Sequence, residues 1–196
     1  MIFSTYQGIG KSTLAKKDFR IIDLESSCYD KANPNWFKDY VNTAINLYKQ
    51  GYTVFISSHK VVRDYLLQHI ENKNDYAMIM YDINLEVYCL DKPAERFEKS
   101  CEEYGQDSQI AQKNFRAYQN AGGYFEASYN EIKEDEKNGL NVIWITNSDY
   151  DLNNLITSAE SNKENNIANN ETISGAAVVD TVDDADFLDW VSECID

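Results

Sequence analysis

A lysine and a serine set directly behind a glycine suit one kind of chemistry. In Gly8-Ile9-Gly10-Lys11-Ser12-Thr13 the second glycine lets backbone approach an anionic oxygen with no side chain in the way. Lys11 offers a compact positive charge to terminal phosphates, and the Ser12 hydroxyl suits a magnesium ion. Successive backbone N–H groups and the start of a following helix would complete an anion cradle. The short apolar run Met1-Ile2-Phe3-Ser4 that leads into it reads as a buried strand. The full pattern of such a phosphate-binding loop is G-x-x-x-x-G-K-[ST]. Its second half is complete here, and Thr5 stands where its first glycine would be. The ligand this chemistry predicts is a nucleoside triphosphate, ATP with Mg2+.

The rest of the chain alternates strand-like and helix-like stretches, as an α/β domain with a mostly parallel sheet requires. Phe19 to Leu24 reads as a strand ending in Asp23-Leu24-Glu25-Ser26-Ser27. Polar groups at a strand's carboxyl end are where open parallel sheets hold ligands. Phe37, Tyr40, Val41, Ala44, Ile45 and Tyr48 recur at helical spacing up to Gly51. Tyr52 to Ser57 is a β-branched and aromatic strand that ends in Ser57-Ser58-His59, and Val61, Val62, Tyr65, Leu66 and Ile70 form the next helical stripe. Tyr76 to Tyr81 and Glu86 to Leu90 are both apolar enough for strand, the first as a principal strand and the second as a flank or edge. Pro93 suits a first helical turn. A long polar helical region then runs from Ala94 to about Lys137, with breaks expected near Gly105 and at Gly122-Gly123. Leu140 to Ile145 is the last strand, and Ser148 or Asp149 is placed to cap a final helix through Leu152, Leu155 and Ile156.

Composition narrows the partners. The 196 residues suit one domain and an appendage, and 43% hydrophobic residues can build its core. No apolar run approaches a membrane span. The phosphate loop occupies the place where a cleavable leader would sit, and Cys28, Cys89, Cys101 and Cys194 are scattered. A cytoplasmic protein with reduced thiols is therefore expected. The formal charge is −15, and from Glu160 onward ten acids face one base. Neither part offers the basic field that DNA or RNA needs, so nucleic acid is not an expected partner. Organisation follows the same composition: a domain over 1–158, a polar linker over 159–175 and an acidic segment over 176–196. In that last segment Phe187, Leu188, Trp190 and Val191 sit among acids. They suit a helix docked in a groove of another protein, or equally a helix packed on this domain.

The order of these features resembles the P-loop kinases of small molecules. That group includes nucleoside monophosphate kinases, shikimate- and gluconate-type kinases and phage-encoded relatives. The likeness spans residues 1–158, and its specific part is Gly8 to Thr13. It implies a three-layer P-loop NTPase fold with a five-stranded sheet and flanking helices. By that likeness Asp23 stands where the group carries an acceptor-binding Asp after the second strand. Arg63 matches the acceptor-side arginine after the third. Pro93-Ala94-Glu95-Arg96 looks like the start of a mobile lid whose arginines contact the transferring phosphate, and Arg116 would be a second lid cation. Three departures stand beside these matches. The first loop glycine is Thr5, no acid follows the third strand, and Lys99 and Glu103 stand near where a second lid arginine is expected.

Phosphoryl transfer rests on positioning and charge stabilisation. Lys11 and Ser12 serve the phosphates and the metal. Asp23 is the candidate to hold the acceptor or take its proton, with Glu25 second. Arg63 could clamp an acceptor phosphate with its planar fork, and Arg96 and Arg116 could neutralise the moving charge. His59 is a further substrate-side candidate, and Tyr6 could line the loop. Ordinary roles compete for each: a turn cap for Asp23 and Glu25, and surface ion pairs for the arginines. Two functions follow. One is an ATP-dependent kinase of a nucleotide or other small molecule. The other is a nucleotide-binding protein without turnover that acts through protein partners, with the acidic tail as its docking segment.

Overall fold

The structure, a computed structural model, describes residues 1–170, the last eight by backbone alone. The acidic segment proposed over 176–196 lies outside the described residues. Five strands form one parallel sheet in the order β2-β3-β1-β4-β5. They are β1 (Ile2–Thr5), β2 (Ile21–Asp23), β3 (Thr53–Ser57), β4 (Tyr76–Tyr81) and β5 (Val142–Ile145). The helices are α1 (Lys11–Ala15), α2 (Trp36–Lys49), α3 (Lys60–His69), α4 (Glu86–Tyr104), α5 (Gln109–Gln119), α6 (Ala121–Lys137) and α7 (Leu152–Asn170). The α/β class expected from the sequence is thus observed, with the sheet parallel throughout. Among the described residues no helix is long and apolar enough to cross a membrane.

The chain divides into two compact units. The first takes Met1–Thr5, Gly10–Ala77 and the chain from Asp151. Its centre is β1 against β3, with Phe3 opposite Phe55 and Ser4 opposite Ile56. Ile2, Phe3, Val54, Phe55 and Ile56 are all fully buried. β2 pairs on the other side of β3, so that Asp23 lies level with Phe55. Helix α2 turns Tyr40, Val41, Ala44 and Leu47 inward, the one-face spacing of a helix on a sheet. Tyr40 does more than fill space. Its hydroxyl donates to the Leu24 carbonyl at 2.8 Å and accepts from the Ser57 N–H at 2.9 Å. It thereby ties together the carboxyl ends of β2 and β3. Burial pushes this phenol's pKa well above its usual range, so it stays protonated for that double duty.

The second unit takes Tyr6–Ile9 and Met78–Tyr150. β4 and β5 pair from Met78–Val142 to Tyr81–Ile145. Helices α4 and α5 meet through Phe97 and Phe115, with ring centroids 5.0 Å apart. Phe125 and Ile132 of α6 are buried.

Several expected boundaries move, each for a local reason. Glu86 to Leu90 is the first part of α4, not an edge strand. The Asp82 carboxylate accepts from the Asn84 N–H at 3.2 Å and starts a 3-10 turn over Ile83–Leu85, which runs directly into the helix. A strand has no room to begin there. Pro93 accordingly lies inside α4 rather than in its first turn. It removes one donor, so the Cys89 carbonyl has no partner in the helical ladder. The Gly105 break is observed, as the residue closing α4 at φ 84°. The second break falls at Asn120, and Gly122-Gly123 lie within α6. The last helix is capped by Asp151, whose carboxylate accepts from the Asn153 N–H at 2.8 Å, instead of by Ser148 or Asp149. α7 continues through the first residues of the expected polar linker, to Asn170.

Candidate functional site

In the first unit the motif residues Lys11 and Ser12 open helix α1, preceded by Gly10 at φ 96°. That left-handed conformation strains any residue with a Cβ, which explains the glycine. The helix is only five residues long, so its summed dipole is small. Attraction for an anion must come from individual N–H groups and from Lys11. Among the described residues, the N–H groups of Gly10 through Thr13 donate to no backbone carbonyl, while the turn at Gln7-Gly8 directs the Ile9 N–H toward the Tyr6 carbonyl.

The loop meets an acid from the second strand. The Lys11 Nζ donates to Asp23 Oδ1 at 2.8 Å, and the Ser12 Oγ donates to Asp23 Oδ2 at 2.5 Å. Both carboxylate oxygens are engaged. The Asp23 side chain is 2% exposed and that of Lys11 23%. A carboxylate this deeply buried loses several kcal/mol of hydration, which is offset only by close charge-assisted partners. Asp23 is therefore neither a turn cap nor a solvated strand-end acid. The β2–β3 register and the Tyr40 tie hold it where both loop side chains reach it.

The other expected residues fall into different places. Glu25 accepts from the Ser27 N–H at 3.2 Å and caps the 3-10 turn over Ser26–Cys28. That is the capping role weighed for it from the sequence. Arg63 is 1% exposed, and its guanidinium donates to the Ser58 carbonyl, closing the β3–α3 turn. A first-turn arginine of α3 was expected to face solvent or ligand. Instead the side chain folds back under its own helix start. His59 is exposed at the residue before α3, and Thr13 is exposed on α1.

The second unit holds the first half of the loop. Gly8 has φ 82°, and a Cβ built there would lie 3.6 Å from Lys92 Cβ and 3.8 Å from Arg96 Nη2. Arg96, exposed on α4, thus lies beside Gly8. Arg116 is exposed on α5, next to the Phe115 that packs on α4. Ile9 is 2% exposed, an apolar anchor within a polar turn.

Two tyrosines not singled out from the sequence hold this half. The Tyr81 hydroxyl lies 3.1 Å from the Gly8 carbonyl oxygen, and the Tyr150 hydroxyl donates to the Ile9 carbonyl at 2.9 Å. The two phenol oxygens are 2.9 Å apart. Burial raises the pKa of both phenols, so both keep their protons at neutral pH. Tyr6 packs edge-on to Tyr81 and stacks on Tyr124, and burial raises its pKa too. It stands at the loop's start and is 2% exposed. For Tyr81 a sequence signal existed, since it closes a parallel strand. Tyr150 stands in a polar turn with nothing to mark it.

Among the described residues no cluster of three or more His, Cys, Asp or Glu side chains has the spacing of a metal site. No protein-family model matches this chain, and neither a curated protein nor a solved structure matches it.

Proposed function

We propose that this chain binds Mg·ATP on the loop from Gly8 to Thr13 and transfers the terminal phosphoryl group to a small-molecule acceptor, on a P-loop kinase type of three-layer fold. One observation carries the reading: Lys11 and Ser12, the two chemical residues of the motif, share the buried Asp23 carboxylate. An acid beside the loop hydroxyl is what a phosphate-bound magnesium ion needs, and no acid follows β3. Asp23 supplies it from β2.

The donor set fits the ion. Magnesium takes oxygen ligands and is held by one or two protein groups together with phosphate oxygens and water. The Ser12 hydroxyl and the Asp23 carboxylate are such groups, and a site of this kind needs no cluster of three protein ligands. When bound, the ion would draw negative charge from the terminal phosphates. Lys11, on a flexible stem and partly exposed, turns from the carboxylate to a phosphate oxygen. Arg96 lies beside Gly8 within the second unit. With Asp23 on the metal side, orientation of the acceptor passes to other groups, Glu25 first.

The test is an acceptor screen. Nucleoside monophosphates, nucleosides and sugars are offered with Mg·ATP, and ADP release is followed with Lys11→Ala as the blank. One acceptor class should raise ADP release well above the rate in its absence. If Mg·ATP raises the melting temperature and no acceptor accelerates ADP release, the chain is a nucleotide-binding protein without turnover. The observation favouring that second reading is Arg63: the residue expected to clamp an acceptor phosphate is buried and engaged with the Ser58 carbonyl.

A further inference from the structure

We propose that Tyr81 and Tyr150 are positioning residues of the phosphate site, aiming the N–H groups of Ile9 and Gly10 by holding the carbonyls of Gly8 and Ile9. The proposal rests on the reading of Gly8–Thr13 as a phosphate-binding loop. It assigns a task within that loop to side chains that lie far from it in sequence.

The argument begins with the peptide bond. A trans peptide is planar, so the carbonyl of one residue and the N–H of the next point in opposite directions. Fixing the Gly8 carbonyl therefore fixes the Ile9 N–H, and fixing the Ile9 carbonyl fixes the Gly10 N–H. The Tyr81 and Tyr150 hydroxyls lie 3.1 and 2.9 Å from these two carbonyl oxygens. The two N–H groups must then face away from the tyrosines, and that of Gly10 has no backbone acceptor among the described residues. Gly8, at φ 82°, has no side chain to lock its own geometry. Without the phenols, the two carbonyls would lose their side-chain donors.

Proton counting gives each residue its own carbonyl. Three short contacts link the two phenols and the two carbonyls, and each phenol carries one proton. Tyr150 donates to Ile9. Tyr81 divides its proton between the Gly8 carbonyl and the Tyr150 oxygen. Removing the Tyr150 hydroxyl frees Tyr81 to serve Gly8 fully and releases only the Ile9 carbonyl. Removing the Tyr81 hydroxyl releases only the Gly8 carbonyl. Removing both releases the two peptides together, so the double variant should exceed either single one.

The experiment uses the 15N-labelled full chain, titrated with Mg·ATP, in wild type, Tyr81→Phe, Tyr150→Phe, the double variant and Lys11→Ala. In wild type the Ile9 and Gly10 amide signals should move on binding. Each single Tyr→Phe variant should raise the Kd about fivefold, the worth of one neutral hydrogen bond. Tyr150→Phe should reduce the movement at Gly10 more than at Ile9, and Tyr81→Phe the reverse. If Tyr81→Phe fails to fold, the half-exposed Tyr150 decides alone. Lower melting temperatures with unchanged Kd and unchanged amide movement would assign the tyrosines to packing and overturn the proposal while the loop reading stands. If Mg·ATP binds Lys11→Ala as it binds wild type, or binds neither, the loop reading itself falls and the proposal falls with it.

Discussion

The two halves of the Gly8–Thr13 loop are held by opposite kinds of chemistry. From Gly10 onward the hold is ionic: an ammonium and a hydroxyl on one buried carboxylate. Before Gly10 it is neutral: two phenols on two carbonyls, within a cluster of aromatic rings. The ionic half carries charge that a ligand can take over. The neutral half carries none, and sets only the direction of the backbone. As a phosphate cradle, such a loop would separate what attracts the anion from what shapes the backbone.

The comparison breaks most sharply at Lys11. Lys11→Ala should abolish the rise in melting temperature that Mg·ATP gives the wild type; an undiminished rise would place the phosphates elsewhere. Asp23→Asn comes next. It keeps the shape of the side chain and removes the charge. It should weaken Mg·ATP binding about 10- to 100-fold, the range for a lost charged hydrogen-bond partner, and leave binding of ATP without the metal far less affected. Equal losses with and without magnesium, by calorimetry, would deny Asp23 its place on the metal side. Tyr40→Phe probes the frame of the ionic half. It removes two buried hydrogen bonds, to Leu24 and from Ser57, and should cost about 1–3 kcal/mol in denaturant unfolding. The smallest structural effect is expected at Arg96. Being exposed, Arg96→Ala should change stability by no more than about 0.5 kcal/mol. Its effect should fall on the rate of ADP release under saturating acceptor, and an unchanged rate would remove it from the lid role.

These two halves also differ in how far the sequence disclosed them. Lys11, Ser12 and the strand-end Asp23 were legible because their types and order follow from the chemistry. Their meeting depends only on two parallel strands ending at one edge. The phenol pair was not legible, because it acts through backbone carbonyls more than seventy residues away. No spacing rule links a tyrosine to a carbonyl at that separation. The same limit applies to Arg63: its place on α3 was readable, and its burial under the Ser58 carbonyl depends on tertiary packing. Among the elements, strands with β-branched and aromatic runs were found within a few residues. Glu86 to Leu90 was mistaken because a short apolar run has no period of its own. The deciding feature was the Asp82 turn before it.

The Lys11–Asp23 pair has one more consequence. A resident anion at 2.8 Å means that the ammonium is never waiting for a partner. Chloride or a singly charged ester would have to outcompete a carboxylate that is already in place and shielded from water. A polyanion arriving with its own divalent cation faces no such contest. If Mg·ATP binds as proposed, the ammonium would pass to the phosphate and the carboxylate to the cation. The pair would then act as a filter for metal-loaded polyphosphates, with nucleotide and metal each raising the affinity for the other.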